Sequence, residues 1–361
     1  MAIIDKPTDH FNTVIWTGAN TTGSRTVTGV GFQPDFVWVK SRDTTVGNII
    51  YDSVRGAGAN SELFTIGNYV EGAGNQDYYD YLSSFNSDGF ASIYVANESA
   101  YFNFLNRLYV SWNLKAGGTA VSNTAGSITS SVSANTTSGF SVVTYTGNGT
   151  GGANFGHGLG VKPACVIVKR RNSATNWQFV SKALSATPFA SGNYLKLNSS
   201  DPMGTNTAVW NAEPTSSLIY LTTSGDTNAS GGTYVAYCFA NTSMIKCGKY
   251  TGNGSTNGTF VYTGMKPAFV LIKRTDVANN WLMFDNKRNP YNFLGKYSIA
   301  DLSMPESAGA TDYLDFLSNG FKLNRSGADV NASGGSYIYL AIAEQPFVTS
   351  TTNGSIPATA R

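Results

Sequence analysis

Apolar residues occur in short bursts along this chain, and the bursts recur. After Pro34, Pro163 and Pro267 they run almost unbroken and stop at a lysine. The runs read Phe36-Val37-Trp38-Val39-Lys40, Cys165-Val166-Ile167-Val168-Lys169 and Phe269-Val270-Leu271-Ile272-Lys273. Such runs predict strands buried on both faces, and their Val and Ile content favours strand over helix. Upstream of each lies a second shared block: Trp16-Thr17-Gly18-Ala19-Asn20, Tyr145-Thr146-Gly147-Asn148-Gly149 and Tyr250-Thr251-Gly252-Asn253-Gly254. A third block begins at Ser87, Thr215 and Ser318, and a closing strand at Tyr109, Tyr234 and Tyr337. Four blocks in one order at near-constant offsets mean three homologous modules.

Turn signals repeat at short intervals inside each module. Several short strands per module predict an all-β chain of three tandem β-sandwich, jelly-roll-like modules. The expected boundaries are an N-terminal arm (1–10), module 1 (11–116), a linker (117–138), module 2 (139–243), module 3 (244–348) and a C-terminal tail (349–361). The linker is almost purely small and uncharged, although Ile128 and Val132 alternate well enough to pair as an edge strand. Asn-Gly at 148–149 and 253–254 predicts two-residue hairpins.

Composition agrees with this picture. Only 13% of the 361 residues are charged, against about 25% in ordinary domains. The chain holds 39 Gly, 20 Tyr, 20 Phe and 6 Trp, which excludes disorder and coiled coil. A net charge of +2 supplies no field to draw nucleic acid or an anionic membrane. No apolar run approaches the roughly 20 residues of a membrane helix, and the start carries no secretory signal. The expectation is synthesis in a cytoplasm, without nucleic-acid partner or membrane insertion. Three cysteines with no CxxC pair predict neither a disulfide framework nor a zinc site.

Candidate chemistry is sparse. Gly147 to Gly152 satisfies GxGxxG but opens no helix, so it reads as a turn and not as a dinucleotide site. Asp226-Thr227-Asn228 and Asp329-Val330-Asn331 place oxygens as the first half of a calcium loop does. The twelfth position of each is Tyr237 or Leu340 instead of Glu, so polar turns are the plain reading. Asp52 and Arg55 recur as Asp285 and Arg288, a turn-fixing ion pair, but become Ser181 and Leu184 in module 2. Acid–base hydrolysis needs two facing carboxylates. Asp80 and Asp88, Asp312 and Asp315, and Glu213 give no pair common to all modules. His157 aligns with Thr28, so no repeated nucleophile–base set exists. No catalytic residue, metal or cofactor is expected. Lys40, Lys169 and Lys273 read as charges that discourage association at strand ends.

The blocks quoted above, with Gly29-Val30-Gly31-Phe32-Gln33, His157-Gly158-Leu159-Gly160-Val161 and Gly231-Gly232-Thr233-Tyr234, resemble a repeated domain of virion structural proteins of marine tailed bacteriophages. The resemblance runs from about Phe11 to Phe347, and that family supplies no catalytic residues. It implies a non-enzymatic virion protein on the particle surface, a tail or fibre component assisting host attachment. A capsid decoration or head-fibre protein is the alternative, and a polysaccharide depolymerase a third. The implied partners are other virion proteins, further copies of the chain (a trimer among the options) and host surface polysaccharide. Three modules in one chain could also mimic a trimer around a local threefold. The residues proposed to contact glycan or subunits are Asn75, Gln76, Tyr78, Tyr79 and Tyr81, since aromatic faces stack on sugars and amides bond hydroxyls.

Overall fold

A computed structural model describes residues 4–19, 23–73, 80–95, 101–307, 309 and 312–347. It is all-β, built from antiparallel sheets. In module 1 a five-stranded sheet runs in the spatial order Phe11–Thr17, Leu108–Leu114, Phe36–Ser41, Ile49–Asp52, Leu63–Phe64. Module 3 repeats the order with Ile245–Thr251, Ser336–Pro346, Met265–Arg274, Leu282–Asp285 and Ser298–Ile299. The apolar runs therefore form the middle strand of each sheet, and every residue of Phe36–Ser41 is buried, as a strand covered on both faces must be.

Module 2 has the same five positions within a wider sheet of eight strands. The stretch 117–138, expected as a linker, supplies two of the extra strands. Ser130–Asn135 pairs with Phe140–Thr146, and Val121–Asn123 pairs outside it. The alternation of Ile128 and Val132 is what the pairing uses: both are buried against module 2.

A smaller sheet covers the outer face of each large one. It is Gly23–Val27, Gly89–Tyr94 and Tyr81–Asn86 in module 1, and Phe260–Tyr262, Gly320–Leu323 and Leu314–Leu317 in module 3. Module 2 keeps two strands, Asn154–Gly156 and Leu218–Tyr220. Val37, Val39, Ile49 and Tyr51 meet Val27, Leu82 and Phe90 between the two layers of module 1. The Asn-Gly turns do not close hairpins. Gly149 and Gly254 have φ of 72° and 67°, but each loop carries the chain from the large sheet to the small one. Asn228 Oδ1 accepts from Asn148 N–H and Asn331 Oδ1 from Asn253 N–H, so the supposed calcium loops serve as staples for these crossings.

The inner faces share one core. Residues of alternate parity on the three middle strands point inward together: Phe36, Cys165 and Phe269, then Trp38, Ile167 and Leu271. Aromatic pairs cross between modules, with Phe36 and Tyr237 rings 4.9 Å apart, Trp112 and Phe269 5.9 Å, and Phe179 and Trp281 4.7 Å. Module 1 contributes the largest inward side chains (Trp38, Trp112) and module 3 smaller ones (Leu271, Leu340), leaving a void of about 20 Å³. Complementary volumes of this kind give near-crystalline packing. All three cysteines are buried and unpaired, and burial pushes the Cys165 and Cys238 thiols up, as packing residues require.

Candidate functional site

Of the five residues expected to contact a ligand, Asn75, Gln76, Tyr78 and Tyr79 lie outside the described residues. Tyr81 begins the strand Tyr81–Asn86, is half-buried and packs on the outer core of module 1. Of the candidate carboxylates, Asp80, Asp88 and Glu213 are tied to backbone. Asp80 accepts from the N–H groups of Val95 and Asn103. Asp88 accepts from Gly29 and Gly31, and those two bonds hold its pKa below the usual carboxylate value. Glu213 accepts from Phe189 N–H and pairs with Lys162 at 2.8 Å. His157 is fully buried, takes a bond from Leu159 N–H at Nδ1, and is pushed down to about 4 by burial. Among the described residues no group of three or more His, Cys, Asp or Glu could hold a metal.

What the structure does concentrate is polar chemistry at the three seams between modules. Asn48, Trp177 and Trp281 occupy one position, immediately before equivalent strands, and each donates to the neighbouring module. Asn48 Nδ2 reaches Ile299 O of module 3 at 2.9 Å. Trp177 Nε1 reaches Phe64 O of module 1 at 2.8 Å, and Trp281 Nε1 reaches Lys196 O of module 2 at 2.9 Å. Backbone bonds repeat the circuit at other equivalent positions: Glu71 N to Arg171 O, Met203 N to Thr275 O and Glu306 N to Arg42 O. A circuit of three like contacts places the sheets as walls about a pseudo-threefold axis.

Lys40 and Lys273 reach across seams of this circuit, and the burial of all three lysines corrects their reading as charges at strand ends. Lys40, Lys169 and Lys273 are fully buried and share the inward parity of Phe36 and Trp38. Lys40 donates to Val46 O and Ser303 O, and Lys273 to Asn279 O and Ser200 O. Lys169 donates to Thr175 O. Burial lowers their pKa values to about 7, 8 and 8. For Lys169 and Lys273, nearby Asp226 and Asp301 work against the fall.

The Asp–Arg pair is a seam element as well as a turn lock. Arg55 N–H donates to Asp52 Oδ1, fixing the turn, while Asp52 Oδ2 accepts from Tyr237 of module 2 at 2.7 Å. Arg55 continues to Glu71 at 2.6 Å, and Glu71 to Arg171 of module 2 at 2.7 Å. Burial alone would lower the Arg55 pKa; Asp52, Tyr237 and Glu71 outweigh it and raise it. The seam of modules 3 and 1 repeats the set. Asp285 accepts from Trp112 Nε1 of module 1 at 3.1 Å and binds Arg288, and Glu306 takes Arg42 in a two-pronged pair at 2.8 and 2.9 Å. The side chains of Asp52, Arg55, Asp285 and Arg288 are fully buried. At the seam of modules 2 and 3 the same positions hold Ser181, Leu184, Met203, Thr275 and Leu340, with no ionic group. The register makes Trp112, Tyr237 and Leu340 equivalent, since they pair with Trp38, Ile167 and Leu271.

Beside the seam of modules 1 and 2 lies a depression of about 300 Å³ walled by Ser122, Ser131, Thr144, Thr233 and Arg171. Its hydroxyls are able to bond a polar ligand, but Arg171 is engaged with Glu71.

The architecture defines an all-β, single-chain pseudo-trimer. A family model described as a domain of unknown function (DUF7483) matches residues 6–346. The chain belongs to that family, and the match spans all three modules. No curated protein and no solved structure matches the chain.

Proposed function

We propose that the chain is a non-enzymatic structural component of a tailed-bacteriophage particle, carried on its surface as part of a tail or fibre that assists host attachment. The observation supporting it is the shared core. Three modules spend their inward faces and a circuit of buried polar side chains on holding one another, and Asp80, Asp88 and Glu213 hold backbone. A rigid body with threefold pseudosymmetry is suited to sit on the end or shaft of a trimeric fibre, where three like surfaces converge. The resemblance of the repeated blocks to phage virion domains points the same way.

A capsid decoration role is the second reading, favoured by the same pseudo-threefold axis, which also suits a local threefold of a shell. Gold-labelled antibody against this chain, applied to purified particles, separates the two. Label on the tail supports the first reading, label confined to heads moves the chain to the second, and unlabelled particles sink both. The proposed attachment contact is tested by replacing Tyr78 and Tyr79 with Ala. Unchanged adsorption to host cells would remove those residues from the role.

A further inference from the structure

The flank of module 2 formed by Phe140–Thr146 and Asn154–Gly156 is covered by the chain that leaves module 1. Ile128 N–H donates to Asn154 O, Ser127 Oγ accepts from Asn154 N–H, and Ile128 bridges Phe155 in parallel. Phe155 and Tyr145 stack beneath at 4.4 Å, both buried. The same flank of module 1 is bare among the described residues. Phe11–Thr17 pairs only with Leu108–Leu114, and Gly23–Val27 only with Gly89–Tyr94. Trp16, the counterpart of Tyr145, is half-buried, the smaller Val27 stands at the place of Phe155 with exposed Thr26 at the place of Asn154, and Ile15 is 43% exposed.

The sequence contains a segment that fits this flank. Ser122, Thr124, Gly126, Ser127 and Ile128 recur without a gap as Ser350, Thr352, Gly354, Ser355 and Ile356. The recurrence has the same spacing beyond the equivalent closing-strand residues Leu114 and Ile342. The glycine is required, because a Cβ at Gly126 would lie 2.5 Å from Asn154 O. Modules follow one another around the axis, so chain leaving module 3 is delivered to module 1, as chain leaving module 1 is delivered to module 2. Between modules 2 and 3 no such segment exists. There Asn241 and Thr242 cap the edge of Ile245–Thr251 with side-chain bonds to Cys247 and Ile245.

We propose that residues 350–356 dock on the open flank of module 1, with Ile356 beside Val27 and Ser355 against Thr26, and so close the ring of modules. This inference is independent of the phage reading. Hydrogen exchange tests it on the full chain, an Ile356→Asp variant and a chain ending at Phe347. The expected result is slow exchange at 23–27 in the full chain, faster by about tenfold or more in both variants, with 154–156 unchanged in all three. Equal exchange at 23–27 in the three proteins would overturn the proposal. Protection that grows with protein concentration would overturn it too, since the segment would then belong to a second copy.

Discussion

The seams on either side of module 1 and the seam between modules 2 and 3 have the same backbone bonds but opposite chemistry. The first two carry Asp, Arg, Glu and a second Arg with an aromatic donor (Tyr237 or Trp112). The third carries Ser181, Leu184, Met203, Thr275 and Leu340. The substitutions go together for a physical reason. An Asp facing Leu340 would keep a desolvated oxygen without its donor, and Arg without Asp would be an uncompensated buried charge. The seam tolerates a full ionic set or none. Because the third seam is built on the same frame without the Asp–Arg–Glu–Arg set, the ionic sets are not what holds modules together. Packing and the repeated backbone bonds do that, and the ions add discrimination between neighbouring walls.

The largest effect should come from breaking a set in half. Asp285→Ala leaves Arg288 buried and should cost about 3–5 kcal/mol in urea unfolding, while Ser181→Ala at the matching position loses one neutral bond from Ala183 N–H and should cost about 1 kcal/mol. Similar losses at both sites would collapse the distinction between seams.

Next in size is the pH response of the buried lysines. Their folded pKa values lie below the unfolded value of 10.5, so the unfolded chain binds more protons between the two values and stability rises with pH in that window. The window opens near pH 7 for Lys40 and near pH 8 for Lys273, where Asp301 and Asp201 offset part of the burial. The predicted gain is a few kcal/mol for Lys40, and Lys40→Met should remove it. Side-chain NMR titration of both lysines checks the order of midpoints; reversal would contradict the assigned environments.

Tyr237→Phe deletes only the hydroxyl that reaches Asp52 and should cost about 1.5–3 kcal/mol, read from the denaturation midpoint. The smallest change should follow a complete exchange. Asp52→Ser, Arg55→Leu, Glu71→Met, Arg171→Thr and Tyr237→Leu together give the first seam the third seam's chemistry. The five-fold variant should lie within about 2 kcal/mol of the parent, closer than the Asp52→Ser single change. A loss equal to the sum of the single changes would mean that the ions are needed for cohesion after all.

Much of this was legible beforehand. The all-β fold and the buried middle strands follow from blocks such as Phe36 to Lys40. The lysines were misplaced because a charge after an apolar run looks like a surface residue. Yet Phe36, Trp38 and Lys40 share a parity, and that parity puts the amine inward once a second wall faces the sheet. The divergence of Ser181 and Leu184 was visible, but its explanation, Leu340, belongs to another module, and no spacing rule links the two. The stretch 117–138 signalled its strands only through the alternation of Ile128 and Val132, because small polar residues pair well only when a finished edge waits for them. The proposed ligand residues Asn75, Gln76, Tyr78 and Tyr79 fall outside the described region, so only Tyr81 acquired surroundings.

The widened sheet of module 2 makes one of the three walls unlike the others. A trimer of identical chains presents three interchangeable azimuths, and a partner arriving along the axis cannot tell them apart. Here a rotation by one third of a turn brings an eight-stranded wall where a five-stranded one stood. The molecule thus carries an index mark: a partner that reads the wide wall can be seated in one rotational setting only, at a stoichiometry of one.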